Sequence, residues 1–295
     1  MSILDLPKEK RTCLITGCSS GIGYHAALEL KKRGIRVFAT ARKAEDVERL
    51  RNEGLEAFQL DMDNSESIQS VVEQTLAQTN NQLYAIFNNA GFGQPGAVED
   101  LSRDMIRQQF ETNVFGIMEL SNKILPIMRQ QGYGRIIQNS SVLGIISLPF
   151  RGAYNASKHA LEAMTDTMRL ELHYEPIEVI AIEPGPIVSK FRDNALQKFK
   201  DNIDTEHSVH RELYEVMGMR LENKTKEAPF TLGPEAVTEK VWHALTAKKP
   251  KAKYAVTKPT HMLAFAKRIL PTCWLDKILL KAAGEEAEML KHKNH

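Results

Sequence analysis

The sequence lacks several features that would place it in a specialised class of protein. It contains only three cysteines, Cys13, Cys18 and Cys273, whose spacing matches neither a disulfide framework nor a zinc site. No apolar run reaches the length of about 18 residues that a membrane-spanning helix needs. The 39 basic and 37 acidic residues leave a net charge of +2, which gives no electrostatic reason to expect nucleic-acid binding. We therefore expect a small-molecule partner and no nucleic acid.

The amino-terminal residues and the composition indicate an ordinary intracellular globular protein. Residues Met1 to Arg11 have no long apolar run and end in four consecutive charged side chains, unlike a signal or transit peptide. With so few cysteines, a cytoplasmic location is expected. Hydrophobic residues make up 42% of the 295 positions and charged residues 26%, enough to build one large core.

Short apolar runs alternate with longer amphipathic segments, the pattern of repeated β-α units around a parallel sheet. Several runs are apolar almost throughout, as expected for strands covered on both faces. The predicted strands are Thr12–Thr16, Arg36–Ala41, Glu56–Leu60, Leu83–Asn88, Gly134–Asn139, Glu178–Ile182 and Lys253–Val256. The predicted helices are Ile22–Arg33, Ala44–Glu53, Ser65–Gln78, Arg103–Arg129, Ala153–His173 and Pro234–Ala247.

This alternation predicts an α/β fold, a three-layer doubly wound parallel sheet of about seven strands of the Rossmann type. We assign the whole chain, 1–295, to one domain, with a core over 11–188, an insertion over 189–230, and C-terminal helices with the last strand over 231–285. The insertion follows Pro184-Gly185-Pro186, is polar and has weak helical periodicity. Such a segment is usually a lid, a binding loop or a disordered segment.

Apolar side chains recur at roughly helical spacing near the end of the chain, between Met262 and Leu279. We expect these helices to pack on the body of the protein or across a dimer interface. The alternative is a basic amphipathic contact with a membrane through Lys267, Arg268, Lys277 and Lys281.

The first predicted strand runs directly into a glycine-rich turn that opens a helix, Thr16-Gly17-Cys18-Ser19-Ser20-Gly21-Ile22-Gly23. Glycine lets the backbone turn sharply and approach a diphosphate closely, while the helix N-terminus offers free N–H groups. Tight strand-to-helix turns also use glycine for geometry alone. Because this turn follows the first strand of the sheet, we expect it to bind a dinucleotide through Gly17, Ser19, Ser20, Gly21, Ile22 and Gly23.

The residues after the second and third strands bear on the choice of dinucleotide. An NAD-preferring fold usually offers a carboxylate after the second strand, but here Arg42 and Lys43 follow it and the first carboxylate is Glu45. A guanidinium suits phosphate oxygens, so this pair favours the 2′-phosphate of NADP; otherwise both are solvated residues at a strand end. Asp61, after the third strand, is suited to the adenine amino group or to the first turn of the next helix.

Asparagines occur at two informative places. Asn88-Asn89-Ala90-Gly91 ends the fourth strand with small residues that let a flat adenosine lie close to the backbone, although asparagine is also common in ordinary turns. Asn113 lies inside a long helical pattern, where asparagine is unfavourable because its side chain competes for backbone hydrogen bonds. Its position invites a functional explanation.

Tyr154 and Lys158 lie four residues apart, which places them on one face of a predicted helix. A phenol titrates near pH ~10, and a neighbouring cation lowers its pKa by favouring the phenolate. The pair therefore suits general acid/base catalysis. Alone, this spacing is common by chance, with the tyrosine half-buried and the lysine solvated. Ser141 ends the fifth strand thirteen residues before the tyrosine.

The sequence resembles the short-chain dehydrogenases/reductases in their conventional single-domain form. The likeness covers roughly residues 12–188 and rests on the glycine turn, Asn88-Asn89-Ala90-Gly91, Asn113, Ser141, Tyr154, Lys158 and Pro184-Gly185. Further segments, including Phe230-Thr231-Leu232-Gly233-Pro234, are similar to bacterial members related to 17β-hydroxysteroid and retinol dehydrogenases. Among these, the NADP-dependent aldehyde reductases are similar along nearly the whole length.

The resemblance implies an oxidoreductase that transfers a hydride between NADPH and a carbonyl or alcohol. It makes Tyr154 the acid/base, with Lys158 lowering its pKa and binding the nicotinamide ribose. Ser141 then orients the substrate carbonyl and Asn113 supports a proton-relay water. A homo-oligomer, either dimer or tetramer, is also expected. Beyond the glycine turn, the implied cofactor-binding residues are Arg42, Lys43, Asp61, Met62, Asn89, Ala90, Gly91, Tyr154, Lys158, Pro184, Gly185 and Ile187.

The expected substrate is an apolar carbonyl or alcohol, such as a fatty aldehyde, a retinoid or a steroid. The alternative function is that of a non-catalytic NADP(H)-binding sensor, although such sensors commonly lose the tyrosine or lysine that this chain retains. No metal is expected, and His173, His207 and His210 are interpreted as surface residues. The predicted substrate-lining residues are Phe92, Ser141, Leu143, Ile145, Leu148, Pro149 and Phe150, together with the insertion after Pro186.

Overall fold

Seven parallel strands form one sheet in the computed structural model, which describes residues 1–222 and 229–284. The spatial order of the strands is β3-β2-β1-β4-β5-β6-β7. The strands β2 and β3 are added on one side of β1, and β4 to β7 are added on its other side. This reversal between β1 and β4 leaves a crevice beyond their carboxyl ends. The predicted doubly wound sheet is confirmed. The strands are β1 (Thr12–Ile15), β2 (Arg36–Ala41), β3 (Glu56–Gln59), β4 (Ala85–Asn88), β5 (Gly134–Asn139), β6 (Ile177–Glu183) and β7 (Lys253–Ala255).

Helices cover both faces of this sheet. Because both faces are covered, β1, β4 and β5 are buried along their whole length. Part of the predicted insertion, 223–228, and residue 285 of the predicted C-terminal region lie outside the described residues. The helices are α1 (Gly21–Lys32), α2 (Ala44–Asn52), α3 (Ser65–Gln78), α4 (Arg103–Phe110), α5 (Gly116–Gln131), α6 (Gly152–Glu171), α7 (Phe191–Asn202), α8 (Arg211–Glu222), α9 (Glu235–Thr246), α10 (Lys258–Ile269) and α11 (Thr272–Ala283).

The segment predicted as one helix, Arg103–Arg129, is interrupted. One π-helical turn, Glu111–Phe115, separates α4 from α5. A π-turn widens the helix by one residue and often marks a functional site. The unfavourable Asn113 lies within this turn, fully buried.

The insertion is folded into two helices, α7 and α8, which pack against each other and against residues 97–101. Tyr214 of α8 is buried, accepts a hydrogen bond from the Ala97 amide at 2.9 Å and donates one to Asp100. The weak periodicity of this polar stretch arises because only one narrow stripe of each helix is buried, including Ala195, Phe199, Leu213 and Met217.

The C-terminal helices α10 and α11 pack on the loop that follows β5. Their inner side chains Leu275 and Leu279 form a buried cluster with Leu143 and Ile146 of that loop. The expected packing on the body of the protein is therefore observed for one side of each helix. None of the described helices is long and apolar enough to cross a membrane.

Candidate active site

The glycine-rich turn lies at the carboxyl end of β1, at the crevice where the strand order reverses. Gly17 and Gly21 have φ angles of +71° and +58°, which disfavour any side chain. A Cβ on Gly17 would also come within 2.8 Å of the Ala90 Cα atom. The Ser20 side chain makes no capping hydrogen bond to α1. The first backbone N–H groups of α1, at the crevice, are therefore not occupied by this side chain.

Asn89 and Thr16 join the end of β4 to this turn. The Asn89 side-chain amide donates to the carbonyl oxygens of Thr16 and Gly17 at 2.9 and 3.1 Å. The Thr16 hydroxyl in turn accepts hydrogen bonds from the backbone amides of Asn89 and Ala90, both at 2.9 Å. Four hydrogen bonds therefore fix the spacing between two of the predicted cofactor-binding segments.

Asn139, which was not predicted as a site residue, connects these segments to Lys158. Its side-chain amide donates to the Asn89 Oδ1 atom at 2.9 Å. Its backbone oxygen accepts a hydrogen bond from Lys158 Nζ at 2.7 Å. The only signal available in the sequence was an amide residue directly before Ser140-Ser141 at the end of a buried strand.

The π-turn aims Asn113 at the loop after β4. Its Oδ1 atom accepts from the Phe92 amide at 3.1 Å, and its Nδ2 atom donates to the Phe92 carbonyl at 3.0 Å. Nδ2 also donates to the Ser157 hydroxyl at 3.1 Å, and Ser157 donates to the Tyr154 carbonyl at 2.9 Å. Asn113 therefore links the loop after β4 to the first turns of α6, which carries Tyr154 and Lys158.

The four predicted catalytic residues come together at the carboxyl edge of the sheet. Lys158 Nζ lies 5.8 Å from the centre of the Tyr154 ring and would lie 3.8 Å from a Cβ atom on Gly91. Ser141 is buried, forms a hydrogen bond with the Tyr154 side chain, and accepts one from the Leu143 amide at 3.1 Å. Asn113 adjoins this group through Ser157.

The electrostatics of the pair differ from the sequence expectation. Burial raises the pKa of Tyr154 to about 12, and the hydrogen bond with Ser141 opposes this shift only in part. Burial also lowers the pKa of Lys158 to about 8, against the charge of Glu162, which raises it. The expected lowering of the tyrosine pKa is not seen in this structure, because desolvation outweighs the hydrogen bond with Ser141.

A cluster of buried and half-buried charges lies beside Lys158. Glu162, one helical turn further along α6, accepts a hydrogen bond from Lys253 of β7 at 2.7 Å, and Lys253 also pairs with Asp166 at 2.9 Å. Glu183 ends β6 nearby and is only 5% exposed. Burial, followed by the charge of Glu162, raises the pKa of Glu183 to about 7. None of these residues was predicted as part of the site.

The predicted NADP-selecting residues lie at the rim of the crevice. Arg42 is exposed, and its guanidinium forms no hydrogen bond or ion pair within the part of the chain that the structure describes. Lys43 is also exposed and pairs with Glu45 at 3.3 Å. Arg42 is therefore available to a phosphate, whereas Lys43 already has a partner.

Asp61 and Met62 follow β3 close to this rim. The Asp61 carboxylate accepts a hydrogen bond from the Asp63 amide at 3.1 Å, an ordinary turn contact. The Met62 side chain is buried in the core, and its carbonyl lies where a Cβ atom on Gly116 would clash, at 2.1 Å. The Met62 side chain therefore serves the packing of the protein, and its carbonyl packs against α5.

Residues 184–189 run from the end of β6 back to the glycine turn. A Cβ atom on Gly21 would lie 2.9 Å from Ser189 Cβ, so this segment closes one side of the turn. Ile187 pairs with Leu232 in an isolated β-bridge. A Cβ atom on Gly185 would clash with Thr257 at the start of α10, so glycine is required there by packing alone.

The substrate side of Tyr154 contains both predicted and unexpected residues. Leu143, Ile145 and Leu148 lie in the apolar cluster that includes Tyr154. Phe191 was not predicted, yet its ring centre lies 5.3 Å from that of Tyr154 and its edge lies against Gly93. It begins α7 in the insertion, which was predicted to line the pocket as a segment, without Phe191 being named.

The structure places Phe150 away from this group. Its side chain is 7% exposed and packs in the cluster beneath α7 and α8, with its ring 5.9 Å from that of His210. Phe150 thus packs with the insertion and not in the apolar cluster around Tyr154 where it was predicted, and its φ angle is +58°. Its placement indicates a structural role.

The residues of the crevice fit a nicotinamide dinucleotide. The positive φ angles of Gly17 and Gly21 shape the turn, and the uncapped start of α1 suits the negative charge of a diphosphate. The Oδ1 atom of Asn139, beside Asn89, is buried without a hydrogen-bond partner among the described residues and is available to a polar ligand.

The sheet, the turn at its switch point and the tyrosine–lysine pair define an oxidoreductase of the dinucleotide-binding class. The chain belongs to the short-chain dehydrogenase/reductase family, since the family model described as short chain dehydrogenase matches residues 11–199. Members of this family bind a nicotinamide cofactor. The resemblance found in the sequence is thereby confirmed.

Several known proteins are similar over nearly the whole chain. The uncharacterised oxidoreductase YbbO of Escherichia coli is 46% identical over 270 residues, which are 92% of this chain and 94% of that protein. The NADPH-dependent 3-dehydrocapnine reductase of Ornithobacterium rhinotracheale is 32% identical, covering 92% and 96% of the two chains. Mouse retinol dehydrogenase 16 is also 32% identical, covering 90% and 86%.

Solved structures share the fold. A short chain dehydrogenase from Burkholderia cenocepacia in complex with NADP superposes with a TM-score of 0.72, covering 93% of this chain and 99% of that one. The two sequences are 21% identical, so the comparison speaks to the fold alone.

Proposed function

We propose that this protein is an NADP-dependent enzyme that transfers a hydride between NADPH and an apolar carbonyl or alcohol, acting on CH–OH groups. The observation that carries the proposal is the hydrogen-bonded chain from the glycine turn through Asn89 and Asn139 to Lys158. This series of hydrogen bonds fixes the position of the predicted cofactor-binding turn relative to the predicted catalytic helix. A non-catalytic sensor would not need Tyr154 and Ser141 hydrogen-bonded beside it.

The cofactor, when bound, supplies or accepts the hydride. The protein's own residues handle the proton and the oxygen. Tyr154 and Ser141 both direct hydroxyl groups at the place where a substrate oxygen would gain negative charge, and Tyr154 donates its proton there during reduction. Lys158 stabilises the phenolate that remains, and Asn113 orients the loop and helix that meet at this point.

The preference for NADP rests on Arg42. Its guanidinium is exposed and unpaired within the described residues, at the end of the strand where a carboxylate would favour NAD. The similarity to a reductase named as NADPH-dependent supports this preference.

Replacing Arg42 tests the preference for NADP. Arg42→Ala is expected to weaken NADPH binding by about tenfold or more while changing NADH binding little, because a guanidinium–phosphate contact is charge-assisted. Isothermal titration with both cofactors measures the difference. Lys43→Ala, whose ammonium already pairs with Glu45, is the matched control and is expected to have a smaller effect. Equal losses for NADPH and NADH in Arg42→Ala would refute phosphate recognition.

The apolar nature of the substrate rests on the side chains around Tyr154. Leu143, Ile145, Leu148 and Phe191 surround it, and all are apolar. The similarity to a retinol dehydrogenase supports an apolar alcohol or carbonyl.

A panel of aldehydes and ketones of graded chain length tests the reaction and the substrate class together. NADPH consumption is followed at fixed enzyme concentration, with NADH in parallel. We expect kcat/KM to rise with apolar chain length, because each buried CH₂ group contributes about 0.8 kcal/mol. NADPH binding without turnover on any member would favour the sensor instead.

A cytoplasmic homo-oligomer is the proposed state of the protein. Phe115 of the π-turn and Met164 of α6 are 52% and 46% exposed on neighbouring helices, which supports a second copy at that face. The three cysteines are free, as expected in a reducing compartment. Analytical ultracentrifugation of Phe115→Ser beside the parent protein tests the oligomer.

A further inference from the structure

The outer sides of α10 and α11 present large apolar side chains to solvent. Each of the six is between 40% and 67% exposed, far more than a side chain in a packed core. We call this surface the C-terminal apolar face. It consists of Met262, Phe265, Ile269, Trp274, Ile278 and Leu280.

This face is separate from the side on which the two helices pack. Leu263 and Ala266 of α10, with Leu275 and Leu279 of α11, lie in the cluster over residues 142–148. Met262, Phe265 and Ile269 recur at i, i+3 and i+7, so they form a second apolar stripe along α10. Packing on the body of the protein therefore does not account for them.

Positive charge borders the C-terminal apolar face. Residues 258–284 contain five lysines and arginines but a single carboxylate, Asp276, whereas charges nearly balance in the whole chain. Lys277 and Lys281 stand one helical turn from Trp274 and Ile278 on α11. None of the five cations forms an ion pair within residues 1–222 and 229–284. They are Lys258, Lys267, Arg268, Lys277 and Lys281.

We propose that α10 and α11 dock the protein on the surface of a bilayer that contains anionic lipids. Apolar side chains bordered by unpaired cations are the chemistry that such a surface recognises, since the former enter the acyl boundary and the latter face the headgroups. Tryptophan is favoured at that depth, because its ring is apolar and its N–H is polar. The docking rests on this geometry and is independent of the proposed reaction.

A second copy of the chain is the other occupant to consider. In a twofold contact the same surface meets itself, so the five cations of one copy would face the five cations of the other. Like charges brought together in this way oppose association. Anionic lipids attract the same cations, so charge complementarity favours the bilayer.

The docking surface lies directly over the substrate side of the candidate site. Residues 142–148 lie between α10, α11 and Tyr154, and Lys267 Nζ donates to the Ile145 carbonyl at 2.5 Å. The proposed docking surface and the substrate side of Tyr154 therefore share one apolar cluster.

Flotation with lipid vesicles tests the docking. The full-length protein is mixed with vesicles of phosphatidylcholine alone or with 30 mol% phosphatidylglycerol (about one lipid in three), and the bound fraction is measured at several salt concentrations. Binding is expected only with phosphatidylglycerol and should weaken as salt rises, since screening reduces surface electrostatics. Absence of binding to the anionic vesicles at low salt would overturn the proposal.

Two double variants separate the charged and apolar contributions. Lys277→Glu with Lys281→Glu, and separately Phe265→Ser with Trp274→Ser, should each lower the vesicle partition coefficient by about tenfold or more. The matched controls are Lys248→Glu with Lys249→Glu, and Leu170→Ser with Tyr174→Ser, which alter exposed residues outside the C-terminal helices. They should bind as the parent does, and equal losses in test and control variants would refute the surface.

Three further measurements separate vesicle binding from changes in folding, assembly or turnover. In a Trp242→Phe background, the emission of Trp274 should shift to shorter wavelength on anionic vesicles and stay unchanged on neutral ones. Sedimentation of Phe265→Ser with Trp274→Ser should match the parent in mass. If this variant dissociates an oligomer and the parent protein does not bind vesicles, a second copy of the chain covers the C-terminal apolar face. Turnover of a water-soluble aldehyde without vesicles should be unaffected by either test variant.

Discussion

The two sides of Tyr154 are built from different kinds of contact. On the cofactor side, Thr16, Asn89, Asn113 and Asn139 join three loops and α6 through hydrogen bonds of 2.7 to 3.1 Å. On the substrate side, α7, α10, α11 and residues 142–148 meet mainly through apolar side chains. Hydrogen bonds are directional and fix positions, whereas apolar contacts are not and tolerate changes of shape.

This difference indicates a division of labour in the enzyme. The cofactor side sets the positions of the reacting groups, so its residues should govern the rate of the chemical step. The substrate side should govern which molecule is accepted.

Removal of the tyrosine hydroxyl should have the largest effect. Tyr154→Phe is expected to lower kcat by a factor of about 10² to 10⁴, the usual contribution of a general acid, while the protein folds and binds NADPH normally. Stopped-flow turnover and NADPH titration measure the two quantities. Near-normal turnover would show that another group donates the proton.

Loss of the Asn113 side chain should lower kcat strongly through the cofactor side, with no change in contacts to the substrate. Asn113→Ala removes three hydrogen bonds and frees the Phe92 loop, so kcat should fall by about 30- to 100-fold because misplacement of reacting groups is costly. Asn64→Ala is the control, since it removes a helix cap at Ser67 and costs about 1 kcal/mol of stability. An equal fall in kcat for both variants would mean that stability alone is responsible.

Truncation of Phe191 probes the substrate side. Phe191→Ala should raise KM for long apolar carbonyls by about tenfold through lost burial, with little change in kcat or NADPH binding. Met219→Ala, which shortens an exposed side chain on α8, should leave all three constants unchanged. A fall in kcat with unaltered KM would place Phe191 on the cofactor side of the division.

The smallest expected effect concerns stability and pH. The folded-state pKa of Glu183 is raised to about 7, so the folded protein holds a proton that the unfolded chain releases near pH ~4.5. Stability contributed by this group therefore decreases as pH rises from about 4.5 to 7. Glu183→Gln should flatten that decrease and be more stable than the parent at pH 8 by about 1 kcal/mol. Urea denaturation at pH 5 and pH 8 measures it; an unchanged difference would contradict the assignment.

Prediction from sequence succeeded where short-range patterns decide the outcome. β2 and β5 begin and end where predicted, and the bounds of the other strands differ by one or two residues, because near-continuous apolar runs are specific to buried parallel strands. The glycine turn and the Tyr154–Lys158 pair were recognisable because each lies within one short segment.

The failures involve contacts between distant segments. Asn113 was recognised as unusual, but the π-turn that aims it depends on the Phe92 loop and on Ser157 of α6. Phe150 was assigned to the substrate pocket, although its backbone turns it beneath an insertion whose helices were not predicted. Asn139 was missed because its importance comes from the partners on either side of it.

The sequence by itself determined the positions of the seven strands along the chain, the family, and the choice of the four predicted catalytic residues, because these depend on periodicity and on motifs of fixed spacing. Only the tertiary structure decided the direction of the Tyr154 pKa, the link through Asn139, and the place of Phe191 over the tyrosine. Burial and hydrogen bonding between distant segments set those features, and neither quantity is a property of a local stretch of chain.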